Sequence, residues 1–375
     1  MPNLVGIGNS QVPTNAMLGG LAYENSSVLY EVRAGRKNLI INGDMRINQR
    51  YGTTSSTEKD KYTIDRWFES NPLASGISHQ TVSDGPPGFE YSEKMTMGSS
   101  TYSIGSSNTM YFMQVIEADN VGQLQLGQST AKNYTVSFWV KSSLTGQFGI
   151  ASGNTTSCGN SGYKNGTTSR SFVSSYQIND ANTWEYKTIT FPGDTSGTWQ
   201  RSGNSGGLSI LFDLGSGVNN EMTPGVWTSN DDFRMPGSKR MGPNANSTWQ
   251  ITGVQLEEGN VATSFEYRPY EEELALCQRY YEGIYMGSGT ALMRTYTNTA
   301  GSPTNVSNVE IHYATQKRAQ PVWSLEGDAS WHPSGNNGMS AYPSKSTCLF
   351  QRNDTTHQFL SDTNGDLCGS FDAEI

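Results

Sequence analysis

Residue types with chemical capacity are scattered along this chain of 375 residues. Glycoside hydrolysis needs two carboxyls roughly 5 to 9.5 Å apart across a sugar, and Asp60 with Asp65, or Asp231 with Asp232, supply neighbouring acids. Neither pair has a motif around it, and loops of an acidic protein provide such neighbours freely. Zinc needs clustered ligands. His79, His312, His332 and His357 show no H-x-x-x-H spacing, and Cys158, Cys277, Cys348 and Cys368 contain no C-x-x-C pair. The thiols read as buried or incidental rather than as disulfides or metal ligands. Glycines in "GSGTALMR" and "SGNSGGLS" lack the strand-to-helix setting and the Lys-Ser/Thr of a phosphate loop.

Aromatic rings in loops are the other chemical resource, because an amphipathic ring can pack on the apolar face of a sugar. Trp184, Trp199, Trp227, Trp323 and Trp331 are of this type, with a half-buried structural ring as the alternative, whereas Trp67, Trp139 and Trp249 fall within strands and are assigned to packing. The stretch "SWHPSGNNGMSAY" at 330–342 reads as an exposed recognition tip. Together with Trp323 upstream of it, its Trp331, His332 and Tyr342 are the candidate glycan contacts.

Composition narrows the partners. The net charge of -9 comes from dispersed acids with no Lys/Arg block, which argues against nucleic acid. No apolar run approaches the roughly 18 to 20 residues of a bilayer-spanning helix, and the start "MPNLVGIGNSQVPTNAM" lacks the charged-then-apolar order of a signal peptide. A soluble protein made in a cytoplasm, without membrane insertion, is the expectation. Asn-x-Ser/Thr triplets at Asn133, Asn154, Asn246 and Asn305 then carry no glycosylation meaning.

The elements that must position these residues are mostly strands. In "YTVSFWVK" Tyr134, Val136, Phe138 and Val140 share one face while Thr135, Ser137, Trp139 and Lys141 share the other. "GLSILFDLG", "TWEYKTITF" and "TWQITGVQLEEG" repeat the period of two. Strands separated by long Gly/Ser/Asn loops predict an all-β fold, a jelly-roll sandwich followed by a smaller C-terminal β-sandwich. Between them "EEELALCQRYYE", 271–282, has acids in its first turn, Arg279 in its last and Gly283 to stop it, the signature of one short helix. Tyr270, Leu274, Cys277 and Tyr281 form its narrow apolar stripe, to be buried on the chain's own sandwich or at a three-helix contact. Residues 1–36 have no sustained period but are more apolar than a solvated tail requires. They read as a frayed terminus or as an extended anchor that docks through Val12, Pro13, Met17, Leu18, Leu21 and Tyr23.

Three segments together, "NLIINGDMRINQR...YTIDRW" at 38–67, "YTVSFWVKSS" at 134–143 and "WQITGVQLEEGNVATSFEYRPYEEELALCQRYY" at 249–281, resemble tail-fibre and related appendage proteins of tailed bacteriophages. The start "GIGNSQVPTNAMLGGLAY" is similar to that of virion proteins of marine phages, especially cyanophages. The C-terminal strands match in pattern more than in motif. The resemblance implies a carbohydrate-binding-module-like jelly roll, a small β domain, a homotrimer, and a helix that connects two sandwiches. Arg268 and Pro269 would end the first of them. The domains expected are 1–36 for virion docking, 37–269 for the jelly roll, 270–283 for the connector and 284–375 for the C-terminal β domain.

On that basis the chain is expected to be a non-enzymatic virion structural protein, assembled in the host cytoplasm. It would bind other virion proteins through its N-terminus and contact host surface glycans. A head-decorating or tail-adaptor subunit and a polysaccharide depolymerase are the alternatives. No cofactor is expected beyond a structural calcium, for which Asp44, Asp65, Glu257 and Glu258 are candidate ligands. Hydrogen bonds that close the ends of the sandwich are the other reading of those acids, and Asp65 would equally pair with Arg66 or Arg268.

Overall fold

The structure, a computed structural model, describes residues 37–73, 76–155, 169–285, 307–325, 339–352 and 367–374. The chain divides into two compact units, Met1–Lys37 and Asn38–Ile375. Val12, Pro13, Met17, Leu18, Leu21 and Tyr23 lie outside the described residues, so the architecture below is that of the second unit.

The fold is all-β. One sheet holds β1 (Lys61–Ile64), β2 (Trp67–Ser70), β5 (Tyr111–Glu117), β10 (Gly206–Asp213), β7 (Gly146–Gly153) and β8 (Ser171–Ile178), in that spatial order. The facing sheet runs β3 (Ile77–Val82), β4 (Ser92–Met97), β11 (Thr248–Glu258), β6 (Tyr134–Ser142) and β9 (Glu185–Phe191). Every neighbouring pair in both sheets is antiparallel. The alternation of β6 does what period two requires: Val136, Phe138 and Val140 enter the core between the sheets. There Trp67 stacks on Phe112 at 4.9 Å, Phe138 meets Phe212 edge-on at 5.0 Å, and Trp249 Nε1 donates to Tyr176 Oη at 3.1 Å. The indole N–H of this buried tryptophan is thereby satisfied.

A second core explains why β5 and β10 are buried at every position. The outer face of the six-stranded sheet contributes Phe68, Met113, Val115, Ala151, Val173 and Leu211, and is covered by Ile41, Ile47, Phe233, Cys277 and Tyr280. The helix Tyr270–Gln278 therefore seats on the chain's own sandwich. Its acids Glu271, Glu272 and Glu273 lie in the first turn, where they complement the helix dipole. Of the expected stripe, Cys277 is fully buried, Leu274 is partly buried, and Tyr270 is half exposed beside Arg46.

Tyr281 corrects the expected helix length. The helix stops at Gln278, well before Gly283, because Tyr281–Tyr285 forms β12 and pairs with β17 (Leu367–Asp372), Tyr281 opposite Asp372. Strand pairing claims the backbone groups that a longer helix would have used.

Two three-stranded sheets complete the unit: β12-β17-β14, with β14 at Val322–Leu325, and β13-β16-β15, at Ser307–His312, Thr347–Arg352 and Met339–Pro343. Their shared core is small, built from Tyr313, Cys348, Phe350 and Phe371. It is tied to the large sandwich by polar contacts. Ala373 N donates to Tyr280 O at 2.7 Å, Gln49 Nε2 to Tyr281 O at 2.9 Å, and Arg318 Nε to Asn204 O at 3.1 Å.

Candidate functional site

The outer face of the five-stranded sheet is where side chains converge on open space. Register places Trp139 of β6 opposite Tyr186 of β9, and Ser137 opposite Thr188 one step along. Both aromatic rings point away from the core, with centroids 5.3 Å apart and planes at 50°. Beside them the β6–β11 register slips by one residue between Thr252 and Gln255. Such a bulge leaves one residue unpaired and kinks the strand. Gly253 occupies it with φ +62°, and a Cβ there would lie 2.7 Å from the Phe89 ring. Glycine thus allows both the left-handed backbone and the approach of Phe89.

Phe89 belongs to the loop between β3 and β4, and Phe265 and Tyr267 come from the chain after β11. The three rings form one cluster, Phe89 to Phe265 at 5.0 Å, Phe265 to Tyr267 at 4.9 Å and Phe89 to Tyr267 at 5.5 Å. Tyr267 Oη donates to Gly88 O at 2.9 Å and fixes the loop. The result is a cleft of about 420 Å³ floored by Ser137, Trp139 and Gly253 and walled by Tyr186, Ser264 and the ring cluster. Tyr186 and Tyr267 keep 44% and 56% of their surface exposed, so ring faces are available to a ligand. Size and lining suit a small organic ligand or a short stretch of polymer.

One step further along the sheet the chemistry becomes ionic. The Lys141 ammonium binds Asp84 and lies 4.9 Å from the Trp184 ring centroid. Gln250 Nε2 and Trp184 Nε1 donate to the same carboxylate at 3.1 and 3.4 Å. The hydrogen bond from Lys141 holds the Asp84 carboxyl below its usual range.

Three other ionisable groups are withdrawn from solvent. Glu69, Glu93 and His79 are buried where β1–β2 faces β3–β4. Thr81 Oγ1 donates to Glu93 Oε2 at 3.0 Å, while both Glu69 carboxyl oxygens and His79 Nε2 have no protein partner. Burial pushes Glu69 up to about 8, with the nearby Asp60 charge adding to it, and pushes His79 down to about 4. Burial also raises Glu93 well above the ordinary carboxylate range.

The acids proposed as calcium ligands are not brought together. Asp44 pairs with Arg46 at 2.9 Å, and its carboxyl is pushed up to about 6 by burial. Asp65 accepts from Gln49 N at 2.6 Å and Gln49 Nε2 at 2.7 Å, and burial likewise raises it to about 6. Glu257 binds Thr263 N and Oγ1, each at 2.7 Å, and Glu258 binds Lys132 at 2.7 Å. Among the described residues no group of three or more His, Cys, Asp or Glu side chains is placed to hold a metal ion. Nor does Asp65 serve the arginines suggested for it: Arg66 pairs with Glu374 and Arg268 with Glu273.

Of the expected glycan contacts, Trp323 packs in the small core against Phe371 at 4.8 Å and Phe350 at 5.0 Å. Tyr342 stands 54% exposed on β15, and Trp331 and His332 lie outside the described residues. Trp199 is buried with Nε1 on Asp194, and Trp227 donates to Pro192 O. Cys277 and Cys348 are buried free thiols. Trp139, assigned to packing from its sequence, instead lies on the cleft floor. Its signal was present: the alternation of "YTVSFWVK" sets it with Ser137 and Lys141 on the polar face.

No protein-family model matches the chain, and no curated protein matches it. Solved structures with similar parts include a sugar-binding protein from Bacteroides thetaiotaomicron, at 14% identity over 60% of this chain and 100% of that one, with a TM-score of 0.35. A family 4 carbohydrate-binding module matches at 15% identity over 58% of this chain and 98% of its own, TM-score 0.31. The enzymatically active domain of tailspike protein 4 of bacteriophage CBA120 matches at 12% identity over 59% of this chain and 21% of its own, TM-score 0.28.

Proposed function

We propose that this protein is a non-enzymatic appendage subunit of a bacteriophage virion whose large sandwich binds host-surface glycan in the cleft over β6. The observation that carries the binding half is the pairing of Trp139 and Tyr186 beside the exposed Tyr267 in a cleft of about 420 Å³. Tilted ring faces with Ser137 and Ser264 hydroxyls between them offer a sugar both apolar stacking and hydrogen bonding. The virion half rests on the resemblance of the segments at 38–67, 134–143 and 249–281 to phage appendage proteins. In this reading the first 36 residues dock the chain on the particle, trimers gather the clefts, and several weak contacts add as avidity.

The deciding experiment is a glycan array probed with the wild type and with Trp139→Ala. Binding that disappears in the variant, at an unchanged unfolding temperature, supports the cleft. Antibody labelling of particles then locates the protein. Label at projecting tail tips supports attachment, and label over the capsid or tail tube together with a silent array would make it a decoration or adaptor subunit. Sedimentation equilibrium tests the trimer, and a chain lacking residues 1–36 that still joins virions would overturn the anchor.

A further inference from the structure

The position next to the cleft carries charge, whereas none of the residues lining the cleft does. Successive outward positions of a strand are about 7 Å apart. Lys141 on β6 and Trp184 just before β9 are therefore the next outward positions after the Trp139–Tyr186 pair, and the Lys141 ammonium lies 4.9 Å from the centre of the Trp184 ring. Three donors, Lys141 Nζ, Gln250 Nε2 and Trp184 Nε1, converge on the Asp84 carboxylate. Its side chain is 48% exposed while that of Lys141 is only 15% exposed. The carboxylate is thus the more accessible of the two charges to a ligand at this position.

We infer that Asp84 is a specificity-determining residue of the cleft, accepting a hydroxyl of an uncharged sugar and turning away sugars that carry a carboxylate. This rests on the glycan-binding reading above. A carboxylate has about four acceptor positions, so three donors leave one for a ligand hydroxyl. An acidic sugar in the same place would set a second carboxylate beside Asp84, with Lys141 already engaged. Like charges so juxtaposed act against the wrong ligand more than they strengthen the right one. The net charge of -9 acts in the same direction at low salt.

The test uses the full chain and matched oligosaccharide pairs that differ only in a neutral sugar or its uronic acid, with affinities measured at low and high salt. The wild type should prefer the neutral member by about tenfold, and high salt should narrow that ratio. Asp84→Asn, which leaves the Lys141 ammonium without its carboxylate, should bring it to one or below, and Lys141→Met, which leaves Asp84 uncompensated, should widen it. The ratio is the readout, because a merely structural clamp would weaken both members alike. A wild type that prefers the acidic member, or an Asp84→Asn variant that keeps the wild-type ratio while Trp139→Ala abolishes binding, overturns the role of Asp84 alone. A wild type that binds no member, or a Trp139→Ala variant that binds as well as wild type, overturns the cleft reading and this inference with it.

Discussion

Arg66 and Glu374, 308 residues apart in the chain, form an ion pair with almost no access to solvent. Arg66 also donates from Nη2 to Val115 O at 2.6 Å, and its guanidinium lies 3.5 Å from the centre of the Tyr280 ring. Arg50 adds to the clamp, reaching Asp372 at 3.2 Å and lying 3.6 Å from the Tyr281 ring centre. The end of β17 is thereby fastened to the β1–β2 turn. Glu374→Ala should destabilise the protein by about 3 to 5 kcal/mol, because it removes a buried carboxylate partner of the guanidinium. Urea unfolding checks this, and adding Arg66→Met should restore much of the loss.

Stability should change with pH through Glu69 and His79. The Glu69 pKa is raised from 4.5 to about 8, so the native state holds its proton more tightly than the unfolded chain. Its contribution is full below pH 4.5 and is lost as pH rises toward and through 8. His79 is shifted from 6.5 down to about 4, so its contribution is present above 6.5 and lost as pH falls through 4. The two oppose each other between 4.5 and 6.5, which leaves the Glu69 loss to dominate from 6.5 to 8. The contribution of Glu93, also raised by burial, declines in the same direction, so unfolding free energies of Glu69→Gln across that window should fall less steeply than those of the wild type, by on the order of 1 kcal/mol per pH unit.

The cleft makes a separable prediction. Tyr186→Ala and Trp139→Ala should each weaken glycan binding by about 1 to 3 kcal/mol, the range for loss of an aromatic ring stacked on a nucleobase. Their 5.3 Å contact couples them, so the double variant should lose less than the sum. Titration calorimetry of the four proteins measures this.

Gly253 offers a test of the wall. Gly253→Ala would place a methyl against the Phe89 ring and impose φ +62° on a residue with a Cβ, at a stability loss of about 1 to 2 kcal/mol. Phe89, which lines the cleft, must shift. Glycan affinity should fall although residue 253 adds no polar group, and partial recovery with Phe89→Leu would confirm the steric route.

Much of the architecture could be read from local pattern. The period of two in "YTVSFWVK" and "GLSILFDLG" predicted strands that the structure places in two packed sheets, and the acids before "LALCQ" marked the helix at Tyr270. The helix ends at Gln278, earlier than its sequence pattern predicts. Tyr281 keeps helical spacing in sequence, but its backbone pairs with a strand about 90 residues later, which no local pattern records. Trp323 reads from sequence as a loop platform, whereas its exposure depends on Phe350 and Phe371, which the fold brings against it.

What the sequence determined by itself is the class of elements and which side chains share a face, since both follow from backbone geometry over a few residues. It set Trp139 with Ser137 and Lys141 on one side of β6, without saying whether that side would meet a second sheet or solvent. The tertiary structure decided that. Phe89 from before β4 and Phe265 and Tyr267 from after β11 meet there only because β4, β11 and β6 are neighbours in one sheet and a bulge at Gly253 makes room. The same holds for the carboxylates. Whether Asp65, Glu69 or Asp84 is charged depends on desolvation and on partners drawn from other strands, and those are set by packing and register.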